Sequence, residues 1–287
     1  MKDQAENLRQ MVAKMKHEGS FRLKAKTYAV ASGKGGVGKS FFSANLAYAF
    51  KSLGKKVLVF DADFGLSNID IIYNSFGKRN LADVFSGKTE IQECIVSTSL
   101  GVDILSGGSG VKDLLNINYG QRSKLLEDFK KLEHIYDIII LDLGAGASRN
   151  VLSFLSAVDE IIVITTTEPT AITDAYALMK NLVFNEAKKS INIIFNMAAN
   201  RSEGIAAGER VSSVIRQFLG INPEFLGTII KEESVSRSIK QKKLLMQSEP
   251  FSLAAKSIRE IAEKSLKVEK KTHKSFFEEL SEKITGK

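Results

Sequence analysis

The chain has 287 residues, with 41 Lys and Arg against 33 Asp and Glu, one cysteine, no tryptophan and three prolines. Hydrophobic content of 44% with 26% charge excludes wholesale disorder, and one cysteine excludes an internal disulfide or an iron–sulfur site built from this chain's thiols. No apolar run approaches the roughly 18 residues that cross a bilayer. Residues 1–20 lack a signal peptide's apolar stretch, so the expected location is cytoplasmic.

The net charge of +8 sits at the ends. Residues 1–26 hold seven Lys/Arg and three Asp/Glu, and residues 256–287 hold nine and six, leaving the body at +1. A near-neutral body argues against a broad nucleic-acid face. The basic ends serve either as contact elements or simply for solubility.

In chain order, Leu8, Met11, Val12 and Met15 recur at spacings of 3, 4 and 7, which predicts an amphipathic helix over 1–17. Gly19 and Ser20 end it. Strands are predicted at 27–32, 56–62, 102–106, 137–143, 160–166, 192–196 and 225–230. Several are apolar throughout, the pattern of parallel strands covered on both faces. Helical patterns lie near 39–53, 120–134, 170–188 and 204–219, and again over 250–270 and 273–285. The alternation predicts an α/β fold, a doubly wound, mostly parallel sheet flanked by helices.

The strongest motif is Gly33-Lys34-Gly35-Gly36-Val37-Gly38-Lys39-Ser40, followed by Phe41, between the first strand and a helix. Glycines let backbone amides converge on a phosphate, and the helix N-terminus adds its dipole. Lys39 is the point charge for the β- and γ-phosphates, and Ser40 is a Mg²⁺ ligand. Lys34 is a second lysine that its own phosphates do not require. Asp61 and Asp63 end the strand at 56–62, on the face where open α/β sheets bind ligands. Asp63 there can orient an attacking water or hold a Mg²⁺-bound water. Asp142 ends the apolar run from Ile138 to Leu141, the pattern of a strand whose carboxylate holds Mg²⁺ through water. Asn196 ends a later strand without the Asn-Lys-x-Asp pattern that reads guanine, so adenine is expected, with the Asn196 amide on its edge.

The run from Lys34 to Ser40 resembles KGGxGK[ST], the deviant Walker A signature of the MinD/ParA class of P-loop ATPases. Residues 57–70 resemble that class's switch I, and Leu143 to Gly146 resemble its switch II, here without the usual proline. The resemblance implies an ATPase using ATP, ADP and Mg²⁺. It implies a homodimer formed with ATP, Lys34 reaching the other copy's phosphates, and catalysis by Lys34, Lys39 and Asp63. Thr165 to Ala175 resembles the stretch beside the nucleotide at the dimer face, and reads equally as an ordinary strand-to-helix loop.

The ends narrow the resemblance. Asp3, Gln4, Ala5, Leu8 and Arg9 resemble the DQAxxLR motif of the flagellar-number regulators of the FlhG (FleN) type. That resemblance implies a helix that activates the GTPase FlhF, with flagellar C-ring proteins as further partners. The same helix could instead pack its stripe on the body. Phe276, Phe277, Leu280 and Ile284 share one helical face beside lysines, which fits a helix lying in an anionic membrane surface or docked on its own body. The family's C-terminal membrane helix favours the first, and so peripheral binding to the inner face of the cell membrane. The expected organisation is an activator helix over 1–20, an ATPase domain over 25–250, and C-terminal helices over 251–287. The rivals are a division-site or partition ATPase and an adaptor that holds nucleotide without hydrolysing it.

Overall fold

The structure, a computed structural model, describes residues 24–63, 68–108, 119–185 and 190–267, with Phe276, Glu279 and Leu280. The predicted helix over 1–17, the switch I residues 64–67, Phe277 and Ile284 lie outside the described residues.

Among the described residues, eight strands form one sheet in the order β3-β4-β2-β5-β1-β6-β7-β8. They are β1 (Lys26–Ala31), β2 (Val57–Ala62), β3 (Ile95–Ser97), β4 (Asp103–Ser106), β5 (Ile138–Leu143), β6 (Glu160–Thr166), β7 (Ser190–Ala198) and β8 (Glu224–Ile230). Every pairing is parallel except β3 with β4. The helices are α1 (Lys39–Ser52), α2 (Ile69–Tyr73), α3 (Leu81–Phe85), α4 (Tyr119–Ile135), α5 (Arg149–Ala157), α6 (Pro169–Phe184), α7 (Arg201–Leu219), α8 (Glu233–Lys240), α9 (Leu245–Ser248) and α10 (Leu253–Lys267).

The apolar runs of the strands divide between two cores. In β5, Ile139, Leu141 and Leu143 enter the layer under α4 to α7, while Ile138 and Ile140 enter the layer under α1 and α10. In β6, Ile161 and Val163 take the first layer and Ile162 and Ile164 the second. Successive side chains point to opposite faces of a strand. A strand covered on both sides therefore reads as a nearly continuous apolar run, as predicted.

The C-terminal face differs from the membrane expectation. Phe276 and Leu280 are each only 4% exposed and join the core layer under α4 to α7. An apolar helical face gains the same burial from protein as from lipid, roughly 2 kcal/mol for each large side chain. In this structure the protein's own body supplies that burial.

Candidate active site

The turn from β1 into α1 depends on glycine. Gly38 holds φ at 88°, and a Cβ there would fall 2.3 Å from Asn196 Nδ2. Gly33 lies so close to α6 that a Cβ would stand 2.2 Å from the Asp174 carbonyl carbon. Beyond the turn, α1 opens with no side-chain cap and no acidic residue in its first turn. Its first amides and dipole are therefore available to an anion. Phe41 packs its ring against the core and Val37 is buried in it, so both offer a ligand their backbone.

The predicted charged residues come together at the C-terminal end of the sheet. Lys39 Nζ lies 3.3 Å from Asp142 Oδ1 and 3.9 Å from Asp63 Oδ2. Ser43, one turn further along α1, donates its hydroxyl to the same Asp142 oxygen at 2.8 Å. Nothing in the motif points to Ser43, because its partner is 99 residues away. Asp142 is fully buried, and its Oδ2 has no hydrogen-bond partner. Leaving a buried acceptor unpaired costs about 1–3 kcal/mol, more when it is charged. A hard divalent cation, direct or through its water, suits that oxygen, and Ser40 follows Lys39 in the chain with a hydroxyl to offer. Among the described residues no three His, Cys, Asp or Glu side chains gather to hold a metal by themselves. Mg²⁺ would have to share its ligands with a nucleotide's phosphates, whose charge it would neutralise.

Asp61 and Asp63 divide their tasks. The Asp61 carboxylate is buried and accepts from the amides of Asp63 at 3.2 Å and Ile69 at 3.3 Å. It ties the loop after β2 to the start of α2, a structural role. Asp63 is partly open to solvent and faces Gly144 across the cleft. Gly146, φ 92°, donates its amide to the Ser32 carbonyl at 2.8 Å, which brings the segment after β5 beside the phosphate loop.

Lys34 does not turn toward Lys39. Its ammonium is 3.2 Å from both Glu168 Oε2 and Thr170 Oγ1, where β6 runs into α6. Asn196 donates Nδ2 to the Val37 carbonyl at 2.8 Å, bracing the end of β7 against the phosphate loop. Its neighbour Met197 holds a φ of 57° and is 42% exposed, close above Gly38. The left-handed backbone falls at the irregular pairing of β7 with β8 between Phe195 and Ala198, and no sequence pattern reveals that Met197 stands beside the phosphate loop. Glu232, after β8, accepts from the Ala254 amide at 3.0 Å and caps α10.

A family model described as an AAA domain matches residues 25–197. The chain is 33% identical to the antiactivator FleN of Pseudomonas aeruginosa over 250 residues, which cover 87% of this chain and 89% of FleN. It is 35% identical to the flagellum site-determining protein YlxH of Helicobacter pylori over 264 residues, 89% of each. The chain belongs to the MinD/ParA class of P-loop ATPases. The cell division ATPase MinD of Pyrococcus furiosus has the same fold, with a TM-score of 0.69 at 23% identity over 85% of this chain and all of that one. MinD of Pyrococcus horikoshii, solved with Mg-ADP, superposes with a TM-score of 0.68 at 24% identity, over 85% of this chain and 97% of that one. Lys39, Ser43, Asp63 and Asp142 thus gather beside the glycine turn, within the residues that the family model matches. No helix among the described residues is long and apolar enough to cross a membrane.

Proposed function

We propose that this chain is an ATP-switched regulator of flagellar number and placement. One observation carries the reading: the match to FleN and YlxH spans nearly nine tenths of both sequences in each pairing. ATP and Mg²⁺ join two copies face to face, and Lys34 of each copy reaches the other's phosphates. The position of Lys34 supports this, since its ammonium lies away from its own Lys39–Asp142 pair and beside Glu168 and Thr170. Asp63 orients the attacking water, and Asn196 and Met197 meet the adenine. Hydrolysis then separates the copies. The dimer presents Asp3, Gln4, Ala5, Leu8 and Arg9 to the GTPase FlhF and engages flagellar C-ring proteins. An anionic membrane is held through the C-terminal helix, and for this Phe276 and Leu280 must first leave the core.

Light scattering with Mg²⁺ and a non-hydrolysable ATP analogue tests the switch. The wild-type mass doubles and Lys34→Ala remains monomeric. A wild type that stays monomeric, or a variant that dimerises equally, defeats the crossing lysine. Added to purified FlhF, the full chain speeds GTP hydrolysis and Gln4→Ala does not. No acceleration by the wild type removes the activator role.

A further inference from the structure

Ser43 belongs to no motif, yet of the two side-chain donors on Asp142 Oδ1 it is the nearer, at 2.8 Å against 3.3 Å for Lys39 Nζ. The bond joins α1 to the end of β5, and both residues are fully buried. A serine inside a helix commonly returns its hydroxyl to the carbonyl four residues back. That carbonyl, of Lys39, lies 3.1 Å from Ser43 Oγ. A hydroxyl has one proton to donate. The carboxylate oxygen is both nearer and charged, and charge-assisted bonds are roughly twice as strong as neutral ones. The proton therefore goes to Asp142 rather than to the helix's own carbonyl.

The two oxygens of this carboxylate are treated unequally. Oδ1 receives Ser43 and Lys39, and the buried Oδ2 has no partner. The torsion that turns an aspartate's carboxylate is broad, so intrinsic preference does little to choose which oxygen faces which way. A fixed donor has to choose. Lys39 is ill suited to that task, because its charge rides on a flexible four-carbon stem and its bond is the longer one. Ser43 is suited to it. Its hydroxyl stands one bond from Cβ, on a helix whose Phe42, Ala44, Leu46 and Ala47 are fully buried. The backbone of α1 therefore sets where the Ser43 donor lies, wherever the Lys39 ammonium goes.

We infer that Ser43 is a positioning residue for a divalent cation: by holding Oδ1 it keeps the unpartnered Oδ2 of Asp142 available to Mg²⁺ or to water on that ion. The inference rests on reading Asp142 as the carboxylate that serves Mg²⁺. Groups that orient a metal's ligand without touching the metal change metal affinity by about 10–100-fold when they are removed.

Calorimetry of ADP binding to the full chain, once with Mg²⁺ and once with EDTA, separates the metal from the nucleotide. Ser43→Ala binds ADP as the wild type does in EDTA, and about tenfold more weakly in Mg²⁺. The Mg²⁺ concentration that half-saturates ATP turnover gives a second reading. It rises about tenfold in the variant, while turnover at saturating Mg²⁺ is largely retained. Equal weakening of ADP with and without Mg²⁺ would overturn the inference. So would a lower Tm with the Mg²⁺ requirement unchanged, which would make the bond only a fastening of α1 to β5. A wild type whose ADP binding and turnover both ignore Mg²⁺ is a different failure. It would remove the metal reading of Asp142, and the inference with it.

Discussion

Two buried lysine–carboxylate clusters stand at opposite ends of the same sheet. At the lower end, Lys26 pairs with Glu160 and donates to the Ser265 carbonyl at 3.1 Å, while Tyr28 donates to that carbonyl at 2.9 Å. Lys26 also lies 5.1 Å from the Tyr28 ring centre, and Asn192 donates to Glu160. These bonds fasten the end of α10 to β1, β6 and β7. At the upper end, Lys39 and Ser43 share a single oxygen of Asp142 and leave the other one unpaired. The residue types are alike, and the surroundings separate them. The lower cluster closes on a helix end and holds the fold together. The upper cluster opens beside a glycine turn and an uncapped helix start, so its spare capacity faces a ligand.

The largest expected effect tests the upper cluster. Lys39→Ala cuts ATP turnover roughly 10³-fold, as measured by phosphate release. Turnover within tenfold of wild type would make that cluster a second fastening. Next comes Lys26→Met at the lower end. It strands Glu160 and costs about 3 kcal/mol, a fall in Tm of roughly 6–12 °C, with turnover per folded molecule unchanged. A loss of turnover without a loss of Tm would reverse the two assignments.

The smallest effect depends on pH. Burial pushes the Glu160 carboxyl up, Lys26 and Asn192 draw it back, and the balance remains above the ordinary carboxylate value. A carboxyl raised by folding contributes stability that is fully present below its unfolded value and fades as pH rises through its folded value. Glu160→Gln removes that fade and flattens the stability curve above about pH 4.5. Urea titrations across that range check it, and parallel curves for the two proteins would contradict it.

Much of the fold was legible because both faces of the sheet are covered. The runs at 138–143 and 160–166 have no solvent side, so hydrophobicity alone marks them. β3 escaped notice because it is three residues long, partly exposed, and antiparallel at the sheet's edge. The short helices α5 and α8 escaped for lack of enough periods to register a pattern. In the site, the phosphate loop, Asp63 and Asp142 could be read from motif and spacing. Ser43, Met197 and the tie from Asn196 to Val37 could not, since that tie joins positions 159 residues apart. The face holding Phe276 and Leu280 is ambiguous in a different way. Its amphipathic pattern says that something apolar covers it, and carries no mark of whether lipid or protein does.

The sharing of one Asp142 oxygen by Lys39 and Ser43 has an electroneutrality consequence. Were a triphosphate to draw the Lys39 ammonium toward itself, the buried Asp142 carboxylate would lose its counter-charge. Only a replacement cation restores the balance. On the proposed reading, nucleotide and divalent ion would enter as a pair, and a metal-free triphosphate would be a poor substitute for either.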